Sequence, residues 1–173
     1  MGSLNCHFLV GIPGSGKTTF AHQLRELIPH SIVISPDQIR EQLFGAEIIQ
    51  GDWQEISQCI SHQIGEAVQS KSSIIYDATN IRASWRRDFL EEYSTLRLKW
   101  LCWHLSTPIK VCIHRNQSRS RNVPIDVIIQ YAKYLNETPP TESEGFIRLV
   151  QVNPDSQDNF SRDELSSILA TLD

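Results

Sequence analysis

A glycine-rich segment near the start of the chain has the residue types and the spacing best suited to chemistry. It reads Gly11-Ile12-Pro13-Gly14-Ser15-Gly16-Lys17-Thr18 and matches G-x-x-x-x-G-K-[ST] at every fixed position. In this pattern glycines turn backbone N–H groups toward a triphosphate, the lysine reaches its β and γ phosphates, and the last hydroxyl suits Mg²⁺. The segment therefore predicts binding of ATP, or another nucleoside triphosphate, with Mg²⁺ on Thr18. The predicted contacts come from Gly11, Pro13, Gly14, Ser15, Gly16, Lys17, Thr18 and Thr19.

A carboxylate and a guanidinium follow the second predicted strand, within Ser35-Pro36-Asp37-Gln38-Ile39-Arg40. Because Asp37 and Arg40 are three residues apart, they share one face of a helix. A kinase that acts on a hydroxyl needs this combination, a carboxylate to accept the proton and a cation to hold a neighbouring phosphate. A helix cap with a surface ion pair explains the same two residues equally well, so both interpretations stay open.

An aspartate ends the third predicted strand, and Thr79 and Asn80 follow it closely. Ligands of open parallel sheets gather at the carboxyl ends of strands, so we expect Asp77 near the phosphate loop, as a possible support for the metal. Asn80 can either shape the turn or contact the substrate, because Asp-Ala-Thr-Asn is also a good capping turn.

A basic cluster without acids extends over residues 110–121 and contains Arg115, Arg119 and Arg121. Arg115 and Arg119 are four residues apart and would face the same way on a helix. A mobile helical lid of this kind would bring arginines to a transferring phosphoryl group and exclude water. The usual alternative is a solvated basic face.

Short apolar strands alternate with longer amphipathic helices along the chain, which predicts an α/β fold with a parallel five-stranded sheet flanked by helices on both faces. Strands are predicted over 6–11, 31–35, 73–77, 96–105 and 146–152. Helices are predicted near 16–28, 37–44, 52–70, 82–94, 108–119, 124–136 and 161–172. We expect one domain over 1–173, with the arginine lid at about 108–136.

The composition narrows the function only slightly. With 16 Lys and Arg against 20 Asp and Glu, the formal net charge is −4, so no overall positive field attracts a long polyanion. The four cysteines lack the spacing of a disulfide framework, which suits reduced thiols. Neither a membrane span nor a signal peptide is recognisable, and we expect a cytoplasmic protein with no membrane partner.

Together these motifs resemble the kinase domain of phage-type polynucleotide 5′-hydroxyl kinases, within the small P-loop kinases that include AAA-like and zeta-toxin-like proteins. The similarity runs from about residue 8 to residue 152. Its most specific parts are Ser-Pro-Asp-Gln-Ile-Arg, Asp77-Ala78-Thr79-Asn80, and Arg115-Asn116 followed by Arg119 and Val123-Pro124-Ile125-Asp126-Val127. The phage-type enzyme carries a phosphatase domain after its kinase, and this sequence stops at residue 173, so we expect a kinase alone.

The resemblance implies a role for each matching residue. Asp37 is the general base on a 5′-hydroxyl, and Arg40 holds the adjacent phosphate of the acceptor. Lys17 and Thr18 contact the donor phosphates and Mg²⁺, which Asp37 or Asp77 can also reach through water. Arg115 and Arg119 are lid contacts to ATP, and Val123 contacts the terminal base. The implied catalytic set is Asp37, Lys17 and Arg119, and the implied substrate set is Asp37, Arg40, Asp77, Asn80 and Val123. A shorter stretch before Val123 leaves Arg119 and Arg121 as alternative main lid arginines.

Two other functions stay open from the sequence. The same scaffold can phosphorylate a small-molecule hydroxyl, with Arg40 on a carboxylate or sugar phosphate, and the acidic composition fits that reading. Alternatively, ATP could order the lid for a partner protein in a switch without catalysis. The tryptophans at 53, 85, 100 and 103 can stack on bases, but isolated tryptophans are more often core residues.

Overall fold

The computed structural model of the chain describes residues 3–47, 49–119, 122–153 and 161–172. Five strands pair in parallel, in the order β2-β3-β1-β4-β5. They are β1 Leu4–Val10, β2 Ser31–Ile34, β3 Ser73–Tyr76, β4 Leu98–Leu105 and β5 Arg148–Val152. The predicted α/β class and parallel sheet are therefore confirmed.

Seven helices of the described residues flank this sheet, and each predicted boundary lies within two residues of the observed one. They are α1 Lys17–Leu27, α2 Pro36–Phe44, α3 Trp53–Ser70, α4 Ala83–Glu92, α5 Ile109–Gln117, α6 Ile125–Glu137 and α7 Arg162–Ala170. Short 3-10 turns add Ser94–Leu96 and Glu142–Glu144. The expected capping box at the start of α7 is present, since Glu164 and Ser161 bond each other's backbone N–H groups.

Both faces of the sheet are buried, because successive side chains of a strand point to opposite sides. Phe8 packs in a cluster with residues of α3, including Ile56 and Ile60, whereas its neighbour Leu9 packs with Phe20 and Leu24 of α1. The cluster around Phe8 also holds residues of α5 and α6, so the predicted lid region is packed against the same face as α3. The layered core thus holds the carboxyl ends of β1, β2 and β3 side by side.

The lid region differs from the prediction in its details. Helix α5 ends at Gln117, and Arg119 lies two residues beyond it, so Arg115 and Arg119 do not share one helical face. Pro124 is the N-cap of α6 rather than its first helical residue. None of the helices in the described ranges is long and apolar enough to span a membrane.

Candidate active site

The glycine-rich segment forms a tight loop between β1 and α1. Gly14 has φ +83° and Gly16, the N-cap of α1, has φ +95°, a left-handed conformation that side chains rarely adopt. A Cβ at Gly14 would overlap the backbone carbonyl of Cys112 on α5. Ser15 is fully buried, and its carbonyl accepts a 2.8 Å hydrogen bond from the Thr107 hydroxyl. The loop is therefore a backbone cradle that is bonded to the segment after β4 and packed closely against α5.

Lys17 lies across this cradle. Its Nζ donates to the carbonyl oxygens of Gly11 at 2.8 Å and Ile12 at 2.9 Å. Burial lowers the pKa of the Lys17 ammonium, and the carboxylates of Asp77 and Asp37 partly offset that effect. Both acids therefore act on Lys17 electrostatically, Asp77 from the end of β3 and Asp37 from the start of α2.

Thr18 and Asp77 form the most direct contact between the loop and β3. The Thr18 Oγ1 donates to Asp77 Oδ2 at 2.8 Å, and Asp77 is only 6% exposed. Burial raises the pKa of the Asp77 carboxyl, while Lys17 and the Thr18 hydrogen bond lower it. A hydroxyl and a carboxylate beside a phosphate cradle are the oxygen ligands that Mg²⁺ uses in nucleotide-binding loops, so the donor set fits this ion.

Asn80 shapes the turn that follows Asp77. It has φ +50°, is 8% exposed, and its Nδ2 donates to the Leu9 carbonyl of β1 at 2.7 Å. The backbone N–H of Gly11 donates to the Thr79 carbonyl at 3.0 Å, close to the same point. Asn80 takes the first of its two predicted roles, because its amide nitrogen stabilises the turn and holds β1 to the segment after β3.

Asp37 and Arg40 lie on the first turns of α2 and contact each other directly. The Arg40 Nη1 donates to Asp37 Oδ1 at 2.6 Å, with 14% of the Arg40 side chain and 52% of the Asp37 side chain exposed. Ser35, not Asp37, is the N-cap residue, and it makes no side-chain capping bond. The Arg40 Nε is buried with no hydrogen-bond partner in the described part of the chain. Because the Arg40 side chain is largely buried and its Nε has no described partner, this pair differs from an ordinary surface ion pair.

Arg119 lies two residues beyond the end of α5. After burial, its charge is a smaller cause that lowers the pKa of Lys17. Arg115 lies in the last turn of α5. Arg121 lies outside the described residues, so the choice between Arg119 and Arg121 as main lid arginine stays a prediction.

Asn116 was not assigned a role from the sequence, yet it bonds the segment that leads into α6. Its Nδ2 donates to the Val123 carbonyl at 2.7 Å, and its Oδ1 accepts from the Val123 N–H at 2.9 Å. Asn116 is 3% exposed, and Val123 packs against the core with only part of its surface open. The shared helical face of Cys112 and Asn116, four residues apart, was the signal that Asn116 points inward.

Arg86 is the second residue that the sequence reasoning left without a role. It is completely buried and forms a two-pronged ion pair with Glu144, at 2.6 and 2.8 Å. Its remaining N–H groups donate to the Asn80 carbonyl at 3.1 Å and the Thr138 carbonyl at 2.8 Å. Arg86 therefore ties the turn after β3 to the end of α6. Its spacing of three from Phe89 and seven from Tyr93 placed it on the buried face of α4.

The parallel sheet, the phosphate cradle and the Thr18–Asp77 pair define a P-loop kinase fold. The chain belongs to the AAA domain family, which it matches over residues 7–138. It is 29% identical over 140 residues to the L-seryl-tRNA(Sec) kinase of Methanococcus maripaludis, an alignment that covers 78% of this chain and 53% of the relative. The chain thus spans about half the length of that curated relative.

Two solved structures illustrate the shared fold. A putative kinase from Chloroflexus aurantiacus superposes with a TM-score of 0.76 at 17% identity, covering 99% of this chain and 97% of that one. The Pnkp1/Rnl/Hen1 RNA repair complex contains a chain with a TM-score of 0.72 at 19% identity, covering 80% of this chain and 46% of that one. At these identities the superpositions establish the fold.

Proposed function

We propose that this protein is a kinase that transfers the γ phosphate of ATP to the 5′-hydroxyl end of a polynucleotide, with Asp37 as the general base. The observation that carries the proposal is the Asp37–Arg40 pair, held at 2.6 Å on α2 with its carboxylate in electrostatic reach of Lys17. A hydroxyl placed beside Asp37 would therefore face the phosphates in the cradle. The half-exposed Asp37 is open to an acceptor, whereas Asp77 is buried against Thr18.

Each residue has a chemical task in this proposal. Bound ATP and Mg²⁺ would supply the reactive phosphoryl group and part of its charge neutralisation. Asp37 accepts the proton of the acceptor hydroxyl as its oxygen bonds to phosphorus and the bond to the ADP oxygen breaks. Arg40 positions the acceptor through its nearest phosphate, and Arg119 balances negative charge on the phosphoryl oxygens. Lys17 and the loop N–H groups hold the donor phosphates in line with the acceptor.

The names of two relatives favour a nucleic-acid acceptor over a metabolite. One is named as a kinase of seryl-tRNA and another belongs to an RNA repair complex. The net charge of −4 argues for a short single-stranded end held by a few local contacts rather than for a long duplex. A kinase of a small-molecule hydroxyl is the main rival, since the fold alone would serve either acceptor. A switch without catalysis gives no reason for a carboxylate paired with an arginine at this position.

A panel of acceptors separates these functions. The chain is incubated with Mg²⁺ and ATP labelled on its γ phosphate, together with 5′-hydroxyl RNA, 5′-hydroxyl DNA, seryl-tRNA, nucleosides and sugars. We expect label on the 5′ end of an oligonucleotide, with the matching 5′-phosphorylated oligonucleotide as the control that accepts none. Label on the serine of seryl-tRNA would keep a nucleic-acid kinase but change the hydroxyl. Label only on a small molecule would contradict the proposal.

A further inference from the structure

Three side chains outside the candidate active site form an unusual cluster on the lid side of the sheet. The guanidinium carbon of Arg82 lies 3.9 Å from the centre of the Tyr134 ring and 5.4 Å from the centre of the Trp85 ring. Both distances are within the range of cation–π contacts. Trp85 stands on the first turn of α4 with 48% of its surface exposed, and Tyr134 belongs to α6.

Packing alone leaves the Arg82 charge unexplained. Its Nε is buried without a hydrogen-bond partner among the described residues, and no described carboxylate forms an ion pair with it. The neighbouring Arg86 shows the contrast, because it is paired with Glu144 and bonded to two carbonyl groups. A guanidinium over aromatic rings that has no carboxylate partner can still donate from its terminal N–H groups to an anionic group such as a phosphate.

The cluster lies near the proposed acceptor path. Arg82 follows Asp77 by five residues, so their Cα atoms are at most about 18 Å apart along an extended chain. The intervening Asn80 is fastened to β1, which holds this segment at the carboxyl edge of the sheet. On α6, Val127 and Tyr134 are seven residues apart, a rise of about 10 Å on one helical face. The helix thus leads from the segment after Val123 to the cluster.

We propose that Arg82, Trp85 and Tyr134 form a second binding site for the acceptor strand, a short way inward from its reacting 5′ end. Trp85 stacks on a base, and Arg82 contacts an adjoining phosphate while Tyr134 holds its guanidinium in place. The proposal rests on the proposed function and extends it, because a small-molecule acceptor could not reach this site and the active site together.

A single-stranded nucleic acid fits these contacts better than a protein partner. An exposed indole beside a guanidinium that has no carboxylate partner among the described residues offers stacking and phosphate binding together, which is the chemistry of single-strand recognition. The other large exposed tryptophan, Trp53 at the start of α3, is 56% exposed and has no cation–π contact in the described structure. Trp53 is therefore a matched comparison for Trp85.

Acceptor length is the variable that tests the site. We compare a 5′-hydroxyl nucleoside 3′-monophosphate with a hexanucleotide that begins with the same residue, in wild type and in Trp85→Ala. Loss of the stacked base should raise KM for the hexanucleotide about tenfold and leave the mononucleotide within about twofold. Trp85→Phe should retain most of the length preference, and Trp53→Ala should retain all of it. Arg82→Gln should reduce the slope of log(kcat/KM) against log salt for the hexanucleotide by about 0.7.

Direct binding keeps this proposal separate from the proposed function. The Kd of a fluorescein-labelled hexanucleotide is measured by anisotropy with the same variants, so that no phosphoryl transfer is needed. If the wild type phosphorylates no nucleic acid, the proposed function fails. The second binding site is then tested by the Kd alone, which should still be weaker in Trp85→Ala than in the wild type. Equal losses on both acceptors, equal effects of Trp53→Ala and Trp85→Ala, or unchanged hexanucleotide binding in Trp85→Ala would overturn the proposal. The last of these results would leave a protein contact as the use of this surface.

Discussion

The donor and acceptor sides of the candidate active site are built in opposite ways. On the donor side, Ser15 is fully buried, Asp77 is 6% exposed, and Lys17 is held by two backbone carbonyls. On the proposed acceptor side, half of the Asp37 side chain is exposed although it is bonded to Arg40. The donor-side contacts are made within the protein, whereas the acceptor side keeps a half-exposed carboxylate that a ligand can contact.

This difference follows from what each side must recognise. A triphosphate presents the same anionic oxygens in every cycle, so backbone N–H groups and one lysine can be fixed in advance. An acceptor differs from one kinase to another, and its hydroxyl must enter and its product must leave. We therefore expect substitutions on the acceptor side to change transfer without changing nucleotide affinity.

Asp37→Asn should give the largest separation between the two sides. Loss of the general base should lower kcat about a hundred- to ten-thousandfold, because the amide cannot take the hydroxyl proton. The Kd for ATP, measured with a fluorescent analogue, should stay within about twofold, since Lys17 keeps its contacts with the loop. A variant with near-normal turnover would remove Asp37 from the chemistry. A variant that loses nucleotide affinity to the same extent would show that the two sides are not separable.

Arg119→Ala should have the next largest effect. Removal of one charged donor to the transferring phosphoryl group should lower kcat about a hundred- to thousandfold, with little change in the KM of the acceptor. Arg119→Lys should recover part of the loss, because it keeps the charge but not the planar donor geometry. The control is Arg25→Ala, at the exposed end of α1. If Arg119→Ala retains full activity, another arginine of the basic cluster must contact the phosphoryl group.

The sequence predicted the donor side better than the acceptor side for a physical reason. The loop, Lys17 and Thr18 act through local backbone geometry, which a run of eight residues encodes almost completely. Hydrophobic periodicity likewise located all five strands of the sheet to within two residues at each end. The Thr18–Asp77 contact joins residues 59 positions apart, but the order of strands in a P-loop fold makes it predictable.

The contacts that the sequence reasoning missed are long-range and depend on burial. Arg86 forms its ion pair with Glu144, 58 positions away, and neither local sequence indicates the other residue as a partner. A second miss concerns the end of α5, where the helix stops at Gln117 and separates Arg119 from Arg115. Helical spacing predicts a shared face only while the helix continues, and α5 ends at Gln117, one residue after the Asn116 that bonds Val123.

The smallest predicted effect concerns a buried histidine of β1, the strand that leads into the phosphate loop. It tests whether water is excluded from this strand. His7 on β1 is 2% exposed, and its Nδ1 accepts a 3.1 Å hydrogen bond from the Trp103 indole N–H on β4. Burial lowers the pKa of His7 from 6.5 to about 4. The unfolded chain therefore binds the proton first, so this contribution to stability is complete above about pH 6.5 and is lost progressively as the pH falls from 6.5 to about 4.

Urea unfolding at pH 7 and pH 4.5 measures the effect. His7 should account for about 2 kcal/mol of the stability lost between these pH values. His7→Gln keeps a hydrogen-bond acceptor for the Trp103 indole N–H but cannot be protonated. Between pH 7 and pH 4.5, its free energy of unfolding should therefore fall by about 2 kcal/mol less than that of the wild type. The comparison uses the change with pH, so any packing cost of the glutamine cancels. If the free energies of unfolding of the two proteins fall in parallel with pH, water reaches His7 in the folded state. Burial of this strand would then contribute less to the rigidity of the donor side.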